Sequence, residues 1–195
     1  MIDTRMQRAA LAAVLISFAA AAGAQSTAQQ PAAGASAGAA KATATGRDVA
    51  RGDRQFLEHA AAGGMAEVAL GNMAKERASN PQVRQFGERM VQDHTGANQE
   101  VTRLAVARGV GTPAESDRRQ RRSLDKLSQL KGAEFDREFM KAMVDDHERT
   151  VELFEKQSRS GDDAELKAFA TKTLPTLRDH LQAARALHDT VAKAR

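Results

Sequence analysis

The chain has 195 residues, no Cys, Trp or Tyr, and a formal net charge of +4. The missing cysteine excludes disulfides, a thiol nucleophile and a lipid-modified N-terminal cysteine, and the missing Tyr and Trp remove the usual side-chain radical carriers. The charge excess is small and partly local, and on a chain that reads as exported it argues against nucleic acid as a partner.

Residues 1–24 read as a secretory signal peptide. Arg5 and Arg8 supply a positive start, Ala9 to Ala22 form an apolar run too short to span a bilayer, and Ala22-Gly23-Ala24 is a small-residue cleavage site. The mature chain is therefore expected to be exported, periplasmic or envelope-associated; the alternative is a leader retained as an anchor. Residues 25–46, rich in Ala, Gly, Ser, Thr and Gln, bury too little to offset their chain entropy and read as a flexible tether. No later apolar run is long enough to cross a membrane.

From residue 47 to residue 195 the pattern is helical, without strand-like alternation, so the class is all-α. Helix one runs from about Asp48 or Asp53, with Asp53 a candidate N-cap, to Ala78; Phe56, Ala60, Gly63, Glu67, Leu70 and Ala74 recur at three- and four-residue steps. Gly63, Gly64 and Gly71 each weaken a helix interior, which points to close approach by a neighbour. Asn80 and Pro81 are an N-cap and first-turn pair that starts helix two. That helix carries Val83, Phe86, Met90, His94, Ala97, Val101 and Leu104 inward and stops at Gly109. After the turn at Gly111-Thr112-Pro113 comes a short basic helix from about Ser116 to Leu130. Helix three turns Phe135, Phe139, Met143, His147, Val151 and Phe154 inward. Helix four, capped by Asp162 or Asp163, presents Leu166, Phe169, Thr173, Leu177, His180, Ala184, Leu187 and Val191, with Pro175 inside it as a source of a kink.

Four helices of about 25–30 residues would each be about 37–45 Å long. The one long connection, which holds the short basic helix, lies between helices two and three. It is long enough to return along the bundle, which would set those two helices parallel in the one-crossover topology of a ferritin-like four-helix bundle. An internal repeat agrees. Arg84, Phe86, Met90, Val91, Asp93 and His94 match Arg137, Phe139, Met143, Val144, Asp146 and His147 in order, so parallel helices put the two histidines at one level. His180 lies behind Asp179 in a similar apolar stripe; counting from the turns brings Glu67 level with His94 and puts His180 about a turn further out, an offset that Pro175 can adjust.

Glu67, His94, His147 and His180 therefore converge as a candidate metal site. One carboxylate and three imidazoles are a sound ligand set for a divalent transition metal: Fe, Mn, Zn, Ni or Cu. The aspartate before each histidine points away around the helix and suits the rim. Met90 and Met143, one turn below, offer copper a soft ligand, although methionine in a helix core is commonly packing. His59 reads as a boundary residue and His188 as exposed. The rival reading is a metal-free structural or adaptor bundle. In it, Glu67 accepts hydrogen bonds from the histidines, and Arg118, Arg119, Arg121 and Arg122 face an anionic envelope partner. No catalytic motif is present: no Gly-x-Ser-x-Gly elbow and no phosphate-binding glycine loop. The sequence thus argues against an enzyme and leaves the oligomeric state open.

In these residues the chain resembles the domain of unknown function 4142 family of exported bacterial proteins, placed among ferritin-like bundles. The likeness runs from about Asp53 to Val191. It rests on Phe56 with Glu67-Val68-Ala69-Leu70, on Phe86 with Met90-Val91-Gln92-Asp93-His94, on Phe135-Asp136 with His147, and on Leu174-Pro175 with His180-Leu181. The resemblance implies an envelope four-helix bundle and lends no activity. The dinuclear iron site of the wider ferritin-like group needs a Glu three residues before a His on two helices. Here Val91, Val144 and Leu177 stand at those places, so a mononuclear site is expected and iron storage is not.

Overall fold

The computed structural model describes residues 49–113 and 116–194. The expected signal peptide and tether lie outside the described residues. Five helices follow in order: α1 (Arg51–Arg77), α2 (Pro81–Val106), α3 (Arg118–Ser128), α4 (Gly132–Ser160) and α5 (Ala164–Lys193). Among the described residues there is no strand, and no helix is long and apolar enough to cross a membrane. The described residues form an all-α bundle of four long helices with a short fifth.

Local chemistry sets most boundaries. The Asn80 side chain accepts from the Gln82 amide at 2.8 Å with Pro81 at the first helical position, as the sequence predicts for α2. At the other end of α2, Gly109 takes φ 64°, and the Val110 and Gly109 amides donate back to Ala105 and Val106. This pairing closes the last carbonyls and buries Val110. Asp117 and Gln120 cap α3 reciprocally, and Asp163 caps α5 through the Glu165 and Leu166 amides. The helix continues through Pro175, whose missing N–H deprives the carbonyl one turn earlier of its donor.

Asp53 differs from expectation. It does not cap α1, which begins at Ala50 without a side-chain cap. It lies buried in the first turn and accepts from Gln157 Nε2 (2.6 Å) and the Asp163 amide (2.9 Å), so it ties the α4–α5 turn to α1. Asp136, near the start of α4, does the same for the α1–α2 turn: it accepts from the Ser79 amide, the Ser79 hydroxyl and the Asn80 amide. One interval separates Asp53 from Asp136, Phe56 from Phe139 and the cap Asn80 from the cap Asp163. The α1–α2 and α4–α5 hairpins are thus two copies of one design, each latching the other's turn.

The core falls into two apolar clusters. The first holds the N-terminal halves of α1 and α5 and the C-terminal halves of α2 and α4, with Phe56 in edge contact with Phe154 and Phe169, which are tilted against each other. The second holds the opposite halves, around Phe86, Phe135, Phe139, Met90 and Met143. Halves of α2 and α4 with the same polarity share a cluster, so these helices run in the same direction, and the segment containing α3 returns along the bundle.

Helices α1 and α2 meet most closely at two glycines. A Cβ on Gly71 would lie 2.7 Å from the Gly87 carbonyl oxygen, and one on Gly87 would lie 2.7 Å from the Ala74 Cβ. Gly64 abuts the Asn98 amide, but Gly63 has only Gln120 Nε2 at an ordinary 3.5 Å and needs no glycine for space. Gly87→Val should therefore cost about 2–3 kcal/mol, whereas Gly63→Ala should stabilise by about 0.5–1 kcal/mol. Opposite movements of the urea midpoint would confirm the pair; equal destabilisation would place the close approach elsewhere.

Candidate metal centre

Between the two apolar clusters lies a layer of buried polar side chains. His94 of α2, His147 of α4 and His180 of α5 are all buried, and one nitrogen of each lies within 4.8 Å of the other two. Ring centroids are 5.4 to 5.8 Å apart. The directions of α2 and α4 make this possible, because they bring corresponding positions of the repeat to one depth.

The other ring nitrogens show which atoms face inward. His147 Nδ1 donates to the Met143 carbonyl at 2.9 Å, one turn back, leaving Nε2 as a lone-pair acceptor. His180 Nε2 donates to Asp93 Oδ2 at 2.8 Å, leaving Nδ1. Asp93 is held in turn by Arg89 at 3.3 Å. His147 Nε2, His180 Nδ1 and His94 Nε2 are all buried without a hydrogen-bond partner. A buried polar atom left unpaired costs about 1–3 kcal/mol. His147 Nε2 and His180 Nδ1 thus keep free lone pairs, and the buried His94 Nε2 also lacks a partner.

Burial keeps these groups neutral. It pushes the His94 imidazolium down to about 3, helped by repulsion from His147 and His180. Burial also takes His147 down to about 4, with His180 adding to the effect and the Met143 carbonyl opposing it. His180 is lowered by burial against the pull of Asp93. Glu67 is raised well above the ordinary carboxyl range, first by burial and then by the charge of Asp146.

Glu67 borders the triad without joining it. Its Oε1 lies 3.9 Å from His147 Nδ1, whose proton already goes to Met143, and its Oε2 has no partner. The hydrogen bonds from imidazole to Glu67 that a metal-free network would use are not formed. Of the aspartates before the histidines, Asp93 serves His180 on another helix, and Asp146 is bound by Arg119 and Arg149 at 2.9 and 2.7 Å. Met90 and Met143 are fully buried in the second apolar cluster. His59 is exposed, and His188 sits beside Asp189 at the surface. Of the basic residues on α3, Arg119 is committed to Asp146 and Arg121 donates to the Ser116 carbonyl; Arg118 and Arg122 are exposed.

These shifts predict that the metal-free protein loses stability on acidification. Below the ordinary histidine value of 6.5 the unfolded chain takes up protons that folded His94, His147 and His180 refuse, so stability rises with pH. Glu67 and Asp146 act oppositely, since the folded state keeps protons that the unfolded state has released. The three lowered imidazoles set the sign, so stability falls as the pH drops below about 6.5, with the two raised carboxyls reducing the fall. Urea unfolding at pH 7, 6 and 5 measures this slope. A flat profile would mean that the histidines are solvated.

A bundle with a buried three-imidazole centre is the class that fold and site define. By sequence the chain belongs to the domain of unknown function 4142 family, whose pattern matches residues 35–187. No curated protein sequence matches it. Among solved structures it is similar to a DUF305 fragment from Deinococcus radiodurans. That similarity has a TM-score of 0.64 at 15% identity, over 73% of this chain and 98% of that one, and it speaks to the fold.

Proposed function

We propose that this chain is an exported protein that binds one divalent transition metal through His94, His147 and His180. The observation that carries the reading is three buried imidazoles, each with one nitrogen within 4.8 Å of the other two and each with one buried nitrogen that has no hydrogen-bond partner. A cation taking three nitrogens at about 2.0–2.1 Å would satisfy all of them. Neutral imidazoles without thiolate suit Zn, Cu, Fe or Ni better than Mg or Ca. The Asp93 and Met143 hydrogen bonds orient two of the rings as the outer partners of metal-bound histidines do. With Asp93 taken up by the outer nitrogen of His180, Glu67 at the triad's border, and Val91, Val144 and Leu177 where a di-iron bundle has glutamates, the site is mononuclear. Export rests on the positive start, apolar run and Ala22-Gly23-Ala24 of the leader, and a role in metal handling in the envelope follows from the two together.

Calorimetric titration of metal-free protein with Co(II) tests the reading. The expected result is one equivalent bound by the wild type and none by a His94→Ala/His147→Ala variant that retains its helical circular dichroism. Equal binding by both would refute it.

A further inference from the structure

Next to the triad, on the side of the first apolar cluster, the bundle axis holds a cavity of about 40 Å³. All four long helices wall it. Glu67 and His94 line it on the triad side, Asn98 and Thr173 add polar groups, and Gly63, Gly64 and Ala97 keep it open. A void of this size on the axis of a packed core is uncommon, because interiors otherwise close to the density of organic crystals. It exceeds what a single water needs. Of the triad His94 lines it, together with Glu67, which is 5% exposed and has a buried Oε2 without a partner. His59 and Leu153 line both the cavity and an outer cleft between α1 and α4 that also includes Asp53, Gln157 and Asp162. The exposed His59 thus stands between solvent and the cavity.

We infer that the cavity seats a small exogenous ligand of two or three non-hydrogen atoms, an anion of the azide type. The ligand would occupy the coordination position that three histidines leave open, hydrogen-bonded by Glu67 and Asn98 and admitted past His59. The inference rests on the metal reading above. Three protein ligands suffice for a site that keeps an open position, whereas a purely structural site closes all four. Glu67, Asn98 and Thr173 give the ligand polar contacts in walls formed largely by Val101, Phe154, Phe169 and Leu177.

The test is titration of the Co(II)- or Cu(II)-loaded protein with azide, followed by visible absorption. Ala97→Leu and Thr173→Leu serve as cavity-filling variants on different helices, and metal content is measured on every sample. The wild type should give a saturable spectral change. Each filled variant should hold its metal and bind azide at least tenfold more weakly, and Glu67→Ala should weaken azide without releasing metal. Equal azide binding in wild type and both filled variants, at full metal loading, overturns the cavity proposal and leaves the metal site standing. Loss of metal from both folded variants also overturns it, because the cavity would then be the seat of the metal itself. A wild type that takes up no metal refutes the metal reading instead.

Discussion

Replacing His147 with leucine is expected to stabilise the metal-free protein, or leave it unchanged, and to abolish its stabilisation by metal. Leucine fills much of the ring's volume and removes a buried nitrogen that has no partner. The Met143 carbonyl loses only the extra donation from Nδ1. In the wild type, a metal at a thousand times its dissociation constant adds about 4.1 kcal/mol to unfolding free energy, about 8–16 °C in melting temperature for a domain of this size. The variant should show almost none of that shift. Thermal unfolding with and without Co(II), Ni(II) and Zn(II) measures both halves. A core histidine retained only for packing would give the reverse: destabilisation on substitution and no dependence on metal in either protein.

The largest effect on stability alone is expected at Asp136. Its carboxylate accepts three hydrogen bonds from Ser79 and Asn80 across the bundle. Asp136→Ala strands two backbone amides and a hydroxyl at the α1–α2 turn, a loss of about 3–4 kcal/mol or about 10 °C. Asp53→Ala should cost slightly less, since its carboxylate accepts two such bonds, one from a side chain and one from an amide. The two aspartates sit at opposite ends of the bundle, so their effects should add to within about 0.5 kcal/mol. Metal affinity should stay unchanged in folded samples of either variant. Strong non-additivity in urea unfolding would show that the hairpins do not latch independently.

The contrast between these residues explains what the sequence made legible. His94, His147 and His180 stand in apolar stripes of helical period, and periodicity reports burial directly, so their inward direction could be read. The repeat through Met90 to His94 and Met143 to His147 gave those two a common depth, because the long connection allows parallel helices; counting left His180 about a turn further out, and only the packing of α5 brings it level. Caps such as Asn80-Pro81 and Asp163 are local chemistry and were equally plain. Asp53 and Asp136 were not, because an aspartate near a helix start looks like a cap until a partner on another helix is known. The shared spacing of Asp53/Asp136, Phe56/Phe139 and Asn80/Asp163 was the available signal, masked by the stronger α2–α4 repeat. Asp93 reaches His180 rather than its chain neighbour for the same reason: which helix packs alongside is tertiary information. Glu67 is level with the triad, as counting implied, but counting along a helix cannot tell a ligand from a border residue when the difference is a side chain's final direction. Gly63 and Gly64 are adjacent in sequence, and only the packing of α2 distinguishes the glycine that needs its missing Cβ from the one that does not.

The most direct test is the metal content of untagged protein, purified without chelator, beside the His94→Ala/His147→Ala variant. Elemental analysis should find close to one transition-metal ion per chain in the wild type and almost none in the variant. No metal in either, with no shift in melting temperature on adding Mn, Fe, Co, Ni, Cu or Zn, would contradict a metal centre at these histidines.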